Sequence, residues 1–315
     1  MALTLMEAAK VAINEGKTIR AGVIEMFARA SALLAAIPFK DIQGNAYQYN
    51  RESNLSGVAF RNVNGTYPES TGVVNQLVEA LRICGGDLDV DTFIVKTQGQ
   101  VARAVQEQMK VKALAAEMTR VIIKGDSTST PAEIDGLQNR IVGGQLIENS
   151  GVNGGGALSL IMLDELLDTV PEEAGRGRVL VMNKALRRRL TVAARTAGVG
   201  GNIDYALDDF GRQVTRYNGV PIVNTYPDNG GTDPLAFDEV GSGGATATAT
   251  SIYCLALGDG LVTGIQSGGM DVRDLGELDT APKFRTRVEW FAGMAIEHGR
   301  AAARLRGISN VAAVA

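Results

Sequence analysis

The chain has 315 residues, with 31 Lys and Arg against 35 Asp and Glu and a formal charge of −4. Hydrophobic residues make up 45% and charged residues 21%, which excludes a disordered chain. The acidic balance also excludes a globally basic nucleic-acid binder and leaves only local patches open.

Residues 5–36 carry apolar side chains at three- and four-residue spacing, which predicts helix. Gly16 and Gly22 are expected to divide this stretch into two short helices, and Pro38 stops it. The start "MALTLMEAAKVAINEGK" lacks the charged and apolar regions of a secretion signal, so cytoplasmic synthesis is expected. No apolar run reaches the ~18 residues of a membrane span. From Gly44 to Gly72 the character changes. Tyr47 and Tyr49 alternate with polar residues, then a Ser-Asn-Leu-Ser-Gly turn leads to Val58, Phe60 and Val63, again alternating. This predicts a polar two-stranded hairpin with few residues able to anchor a core. Such a hairpin is marginal alone in water, so another subunit is its expected support.

Residues 73–96 read as short strands. Thr97 to Gly125 is a strong helix signal, with Val101, Val105, Leu114, Met118, Val121 and Ile122 as its stripe and Gly125 at the cap. At ~1.5 Å per residue this helix spans roughly 40 Å, a length that suits a structural spine. A further helix is expected over Ala157 to Val170, stopped by Pro171. Arg178 to Asn183 reads as a buried strand, with Asn183 capping the basic helix "NKALRRRLTVAARTA". Asn218 to Asn224 reads as a turn feeding a strand. Tyr226 to Ser251, including "GSGGATATATS", reads as loop. Strand patterns in "GGMDVRDL", "FRTRVEWFAGMAIEHG" and "RAAARLRGI" close the chain. No fixed-period repeat is visible, against a solenoid or propeller.

The chemical candidates are few. Gly125-Asp126-Ser127 matches the nucleophile turn of Gly-Asp-Ser hydrolases, but a nucleophilic serine needs a base and an orienting acid. His298, the sole histidine, is preceded by "MAIE" with no Asp at the hydrolase offset, so a helix cap and turn is the preferred reading. One histidine excludes a multi-histidine zinc site, and Cys84 and Cys254 lack CxxC spacing. Both are expected to be reduced, buried thiols. "GVNGGGALSL" lacks the lysine of a phosphate loop. The run Lys184, Arg187, Arg188, Arg189 and Arg195 has no acid before Asp204, whereas Asp204 to Glu239 is acidic. A solvated face is the default for the run, with pairing between copies or with nucleic acid as the alternatives.

The order of these elements, with "IIKGDSTSTPAEIDGL", "RVLVMNKALRRRL" and "NGVPIVNTYP" at these spacings, resembles the major capsid proteins of tailed double-stranded DNA bacteriophages that share the HK97 fold. The resemblance covers nearly the whole chain. It implies an α+β fold with an N-terminal arm (1–40), an extended β-hairpin loop (41–80), a peripheral domain (81–171 and 265–315, spine helix about 97–124) and an axial domain (172–264). It implies no enzyme and no cofactor or metal. Its expected partners are its own copies, in hexamers and pentamers of an icosahedral shell, and packaged double-stranded DNA without sequence readout. The absence of a long helical extension ahead of the arm implies a separate scaffolding protein, and the resemblance further implies a portal and a decoration protein as partners. Expected localisation is the virion capsid, assembled in the host bacterial cytoplasm. Some family members crosslink an extended-loop lysine to a neighbour's asparagine; here no lysine lies between Lys40 and Lys96, so the shell is expected to be uncrosslinked. Expected assembly contacts are Tyr47, Tyr49, Arg51, Phe60, Arg61, Arg187, Arg188 and Arg189, with the hairpin crossing a neighbour's spine. The alternative is an encapsulin, a protein nanocompartment shell of the same fold; a Gly-Asp-Ser hydrolase is the remote one.

Overall fold

The computed structural model describes residues 2–15, 18–54, 56–172, 177–196, 203–207, 213–225 and 232–314. Helix α1 (Leu5–Asn14) opens with a capping box, in which the Thr4 backbone N–H donates to Glu7 Oε2 at 2.8 Å and the Glu7 N–H to Thr4 Oγ1 at 3.4 Å. Helices α2 (Thr18–Ala30) and α3 (Ala32–Ala36) follow. Gly22 lies inside α2 and divides nothing; the second break comes at Ser31, which caps α3 by accepting from the Leu34 N–H.

The chain then runs through β1 (Phe39–Asp41), β2 (Ala46–Asn54), β3 (Val73–Ala80), β4 (Arg82–Asp91), α4 (Thr92–Gln98) and α5 (Gln100–Lys124). The second hairpin strand is therefore Val73–Ala80, not the Val58 to Val63 stretch. Helix α5, about 38 Å long, starts later than expected because Gly99 sits at φ +81°, a left-handed bend that separates it from α4. Beyond it come α6 (Leu137–Arg140), β5 (Leu146–Glu148), α7 (Leu160–Thr169), β6 (Arg178–Met182) and α8 (Lys184–Thr196). The Asn183 cap is present, its Oδ1 accepting from the Leu186 N–H at 2.8 Å. Strands β7 (Ile203–Leu207), β8 (Gln213–Tyr217), β9 (Val220–Asn224), β10 (Glu239–Val240), β11 (Ala247–Ala256), β12 (Val262–Gln266), β13 (Asp271–Glu277), β14 (Lys283–Ile296) and β15 (Ala302–Ser309) complete the fold. The tail of the presumed 226–251 loop is thus strand.

Beside the two-stranded β2–β3 hairpin, the described residues form two larger sheets. In the first, β14 is the organiser: β12 and β13 pair with successive halves of one edge, β4 takes the other, and β1 adds to β12 in parallel. The second has the order β5-β15-β11-β6-β9-β8-β7, with β10 on β11. The closing strand β15 therefore belongs with β6 and β11, while β12 belongs with β14. Trp290 of β14 centres the packing of the N-terminal helices on the first sheet. It is fully buried, 5.3 Å edge-on from the Phe27 ring and 4.9 Å from the Phe39 ring.

Candidate assembly surfaces

The hairpin is anchored on its own subunit. Tyr47 and Tyr49 point to one face of β2, their rings stacked 5.9 Å apart, and with Leu77 they cover Ile265 and Ala295. The Tyr47 hydroxyl donates to Glu297 Oε1 at 3.0 Å and accepts from Lys40 Nζ at 3.1 Å. Tyr49 is buried and donates to Glu79 Oε1, while the Arg140 guanidinium grips Glu79 through both oxygens, Nη2 lying 2.7 Å from Oε2. The hairpin base thus has support within its own subunit, where Tyr49 is buried. Glu79, Arg140 and Glu297 carry this anchor and were not singled out from sequence, because a residue's distant ion-pair partner leaves no local pattern.

Beyond the base the chain is extended. Across residues 56–72 Val58 is 95%, Phe60 106% and Val63 91% exposed. The Arg61 guanidinium lies 5.2 Å from the Tyr67 ring centroid, and Ser70 Oγ donates to the Gly57 carbonyl at 2.8 Å, so the loop ties mainly to itself. Phe60 and Arg61 are exposed, and Arg51 is half-buried beside a cleft shared with Arg140 and Gln145.

The Gly125-Asp126-Ser127 turn is architecture. Gly125 ends α5, and its carbonyl accepts from the Gly136 N–H at 2.8 Å and Asn139 Nδ2 at 3.2 Å, closing a loop. Inside it, Asp126 accepts from the Thr128 N–H and Ser129 Oγ, and Asp135 from the Ser127 N–H at 2.9 Å. These donors hold both carboxyls below the usual carboxylate range. A Cβ on Gly136 would meet backbone atoms at 2.6 Å, so the closure requires glycine there. No hydrogen bond among the described residues joins Ser127 to His298, whose Nδ1 accepts from the Arg300 N–H in its own turn. The Gly151–Gly156 loop likewise holds neighbouring chain: Asn153 Oδ1 accepts from the Thr246 N–H and the Gly154 carbonyl from Thr248 Oγ1. Burial pushes the thiol of half-buried Cys84 up to about 11 and that of buried Cys254 to about 12, which disfavours the reactive thiolate in both.

On α8, Leu186 and Leu190 are buried and Arg188 and Arg189 exposed, with Arg187 half-buried. Arg189 is partly spoken for, donating to the Asn310 carbonyl at 3.3 Å. The Arg195 side chain lies outside the described residues. Three acids of the 204–239 stretch are consumed within the subunit: Asp233 accepts from Thr225 Oγ1, Asp238 pairs with Lys124 at 2.6 Å, and Glu239 pairs with Arg304 at 2.9 Å.

A two-sheet body, a hairpin with an exposed apolar loop and a long helix together make up the fold. The chain has the HK97-like fold seen in solved phage-capsid and encapsulin structures. Residues 14–160 match the model of the family "Major capsid protein GP7". The fold is similar to that of the Mycobacterium phage Adephagia structure, at TM-score 0.60 and 11% identity over 90% of this chain and 91% of that one. The capsid of cyanophage A-1(L) matches at TM-score 0.60 and 14% identity, covering 89% and 93%. An encapsulin complex from Synechococcus elongatus matches at TM-score 0.63 and 18% identity, covering 90% and 89%. Compared with curated proteins by sequence, the chain finds no match.

Proposed function

We propose that copies of this chain close an icosahedral shell of hexamers and pentamers around double-stranded DNA, held without covalent crosslinks. The observation that carries this is the loop at 56–72. Its apolar side chains are almost wholly in water in a chain that otherwise buries a complete core, and bare apolar surface of this kind marks a contact site. The loop reaches a neighbour's spine helix α5, where Val101, Val105 and Met109 form an exposed stripe at four-residue spacing. On this reading α5 and the β14 sheet form the peripheral domain. The β11 sheet, including β15, forms the axial domain, and the role is architectural, with no turnover. Assembly takes place in the host bacterial cytoplasm with a separate scaffolding protein and a portal, and a decoration protein is a further partner.

The test is electron microscopy of purified assemblies with a nuclease-protection assay. Closed shells holding nuclease-resistant DNA are expected when packaging partners are present. The encapsulin match gives a second reading, in which the same shells hold a protein cargo and no DNA. Monomers under every condition would refute both.

A further inference from the structure

We infer that neighbouring copies in a ring pair through α7 and α8, the acidic face of one subunit's α7 seating the arginine face of the next subunit's α8. The inference rests on the shell reading above. Helix α7, LIMLDELLDT, holds three acids and no base. One acid is used internally, since Asp164 accepts from the Tyr217 hydroxyl at 2.8 Å and Asn218 Nδ2 at 3.1 Å. Glu165 and Asp168 are exposed beside Ile161, at spacings that put all three on one face. Helix α8, KALRRRLTVAART, holds no acid, and turns Arg188 and Val192 outward one turn apart, with Arg187 at the border. Ile161 is 68% and Val192 56% exposed, so each charged face also carries an exposed aliphatic side chain.

What singles out these two helices is that four of their charged side chains make no ion pair among the described residues. The outer face of the first sheet neutralises itself: Arg285 pairs with Asp89 and Arg287 with Asp87, each through two N–H···O bonds of 2.6–2.8 Å. No ion pair among the described residues involves Glu165, Asp168, Arg187 or Arg188. Nor do the acids of the 204–239 stretch compete well, with three of them already bonded inside the subunit. Complementary faces at different places on one chain can make a head-to-tail contact, which closes into a ring where the rotation between subunits permits it. Each exposed pair is weak, but a ring repeats it at every interface, and wrong registers bring like charges together.

The test compares closed-shell yield for the parent chain, Glu165→Lys/Asp168→Lys, Arg187→Glu/Arg188→Glu, and all four changes combined. Each pair alone is expected to lower the yield about tenfold or more, and the combination to restore it, because the charges are exchanged and not lost. All four side chains are solvated at least in part, so circular dichroism and the melting temperature of the free subunits should match the parent's. The parent's assembly should also weaken as salt rises. Either pair assembling like the parent, a folded combination that fails to recover, or salt-insensitive assembly would each overturn the inference. An α8 variant that forms normal shells but loses nucleic acid would assign that face to DNA and overturn it too. If the parent itself forms no shells, the failure lies with the shell reading beneath it.

Discussion

The Phe39 ring lies flat against Gly264. The two residues are register partners in the parallel β1–β12 pair, and a Cβ on Gly264 would sit 2.4 Å from Phe39 Cδ1. The same ring packs on Trp290, so this contact locks the N-terminal helices to the first sheet. Gly264→Ala should therefore force the ring out of place and destabilise the subunit by about 1–3 kcal/mol. Phe39→Ala, which empties the site, should cost about 3–5 kcal/mol. Together they should cost less than the sum, because the second change removes what the first collides with. Urea midpoints at unchanged slope measure all three; simple additivity would show that ring and glycine do not interact.

Glu79→Ala should loosen the hairpin without unfolding the body. It removes the acceptor for Tyr49 and strands Arg140, whose side chain is only 14% exposed and keeps its bond to the Asp135 carbonyl at 2.6 Å. Losing charge-assisted bonds of this kind costs roughly 1.5–3 kcal/mol. Hydrogen exchange should accelerate at β2 and β3 amides and stay unchanged at β11 and β15. Equal acceleration in both regions would mean that the anchor is part of the global fold.

The helices and most long strands were legible because their apolar side chains repeat at the period of the element, and α5 shows this best. The hairpin shows where that logic fails. Val58, Phe60 and Val63 alternate as a strand would, yet they lie in an extended loop, because alternation records a face that will be covered and not what covers it. The true second strand, β3, has a weaker pattern because only its Leu77 and Glu79 face the body. Tyr47 and Tyr49 stood out in the sequence as alternating aromatics, but their intrasubunit partners, Glu297 and the Glu79–Arg140 pair, are set by topology. The Gly125 turn was readable since a glycine and two short polar side chains after a helix fit a cap and turn.

Replacing Val58, Phe60 and Val63 together by Ser should leave the free subunit's stability within about 0.5 kcal/mol of the parent, since these side chains have almost nothing to lose on their own subunit. Assembled shells should fall apart at lower denaturant, because the contact the loop makes is the only thing changed. Boiled shells of the parent should run as one band near 33.2 kDa, with no ladder, given that residues 41–95 contain no lysine. Variant shells as durable as the parent's would remove the loop from the assembly contacts.

Acid should open the loop after α5 before it unfolds the core. The Asp135 carboxyl is held below its ordinary value first by the Ser127 backbone N–H, then by the Ser127 hydroxyl and the Arg140 charge. Asp126 is lowered mainly by the Ser129 hydroxyl and the Thr128 N–H. A depressed carboxyl pKa means that the folded loop binds the proton less readily than the unfolded chain does. Its contribution is therefore complete above the ordinary Asp range, near pH 4, and is lost as pH falls through the lowered value. Exchange of the 126–136 amides, corrected for intrinsic rates, should be flat from about pH 7 to 5 and rise below about pH 4 relative to core amides. Asp135→Asn keeps an acceptor for the Ser127 N–H but cannot titrate. It should start from a weaker loop at neutral pH and show a shallower acid response, with Asp126 supplying what remains. An acid response unchanged in this variant would mean that the loop's pH sensitivity comes from elsewhere.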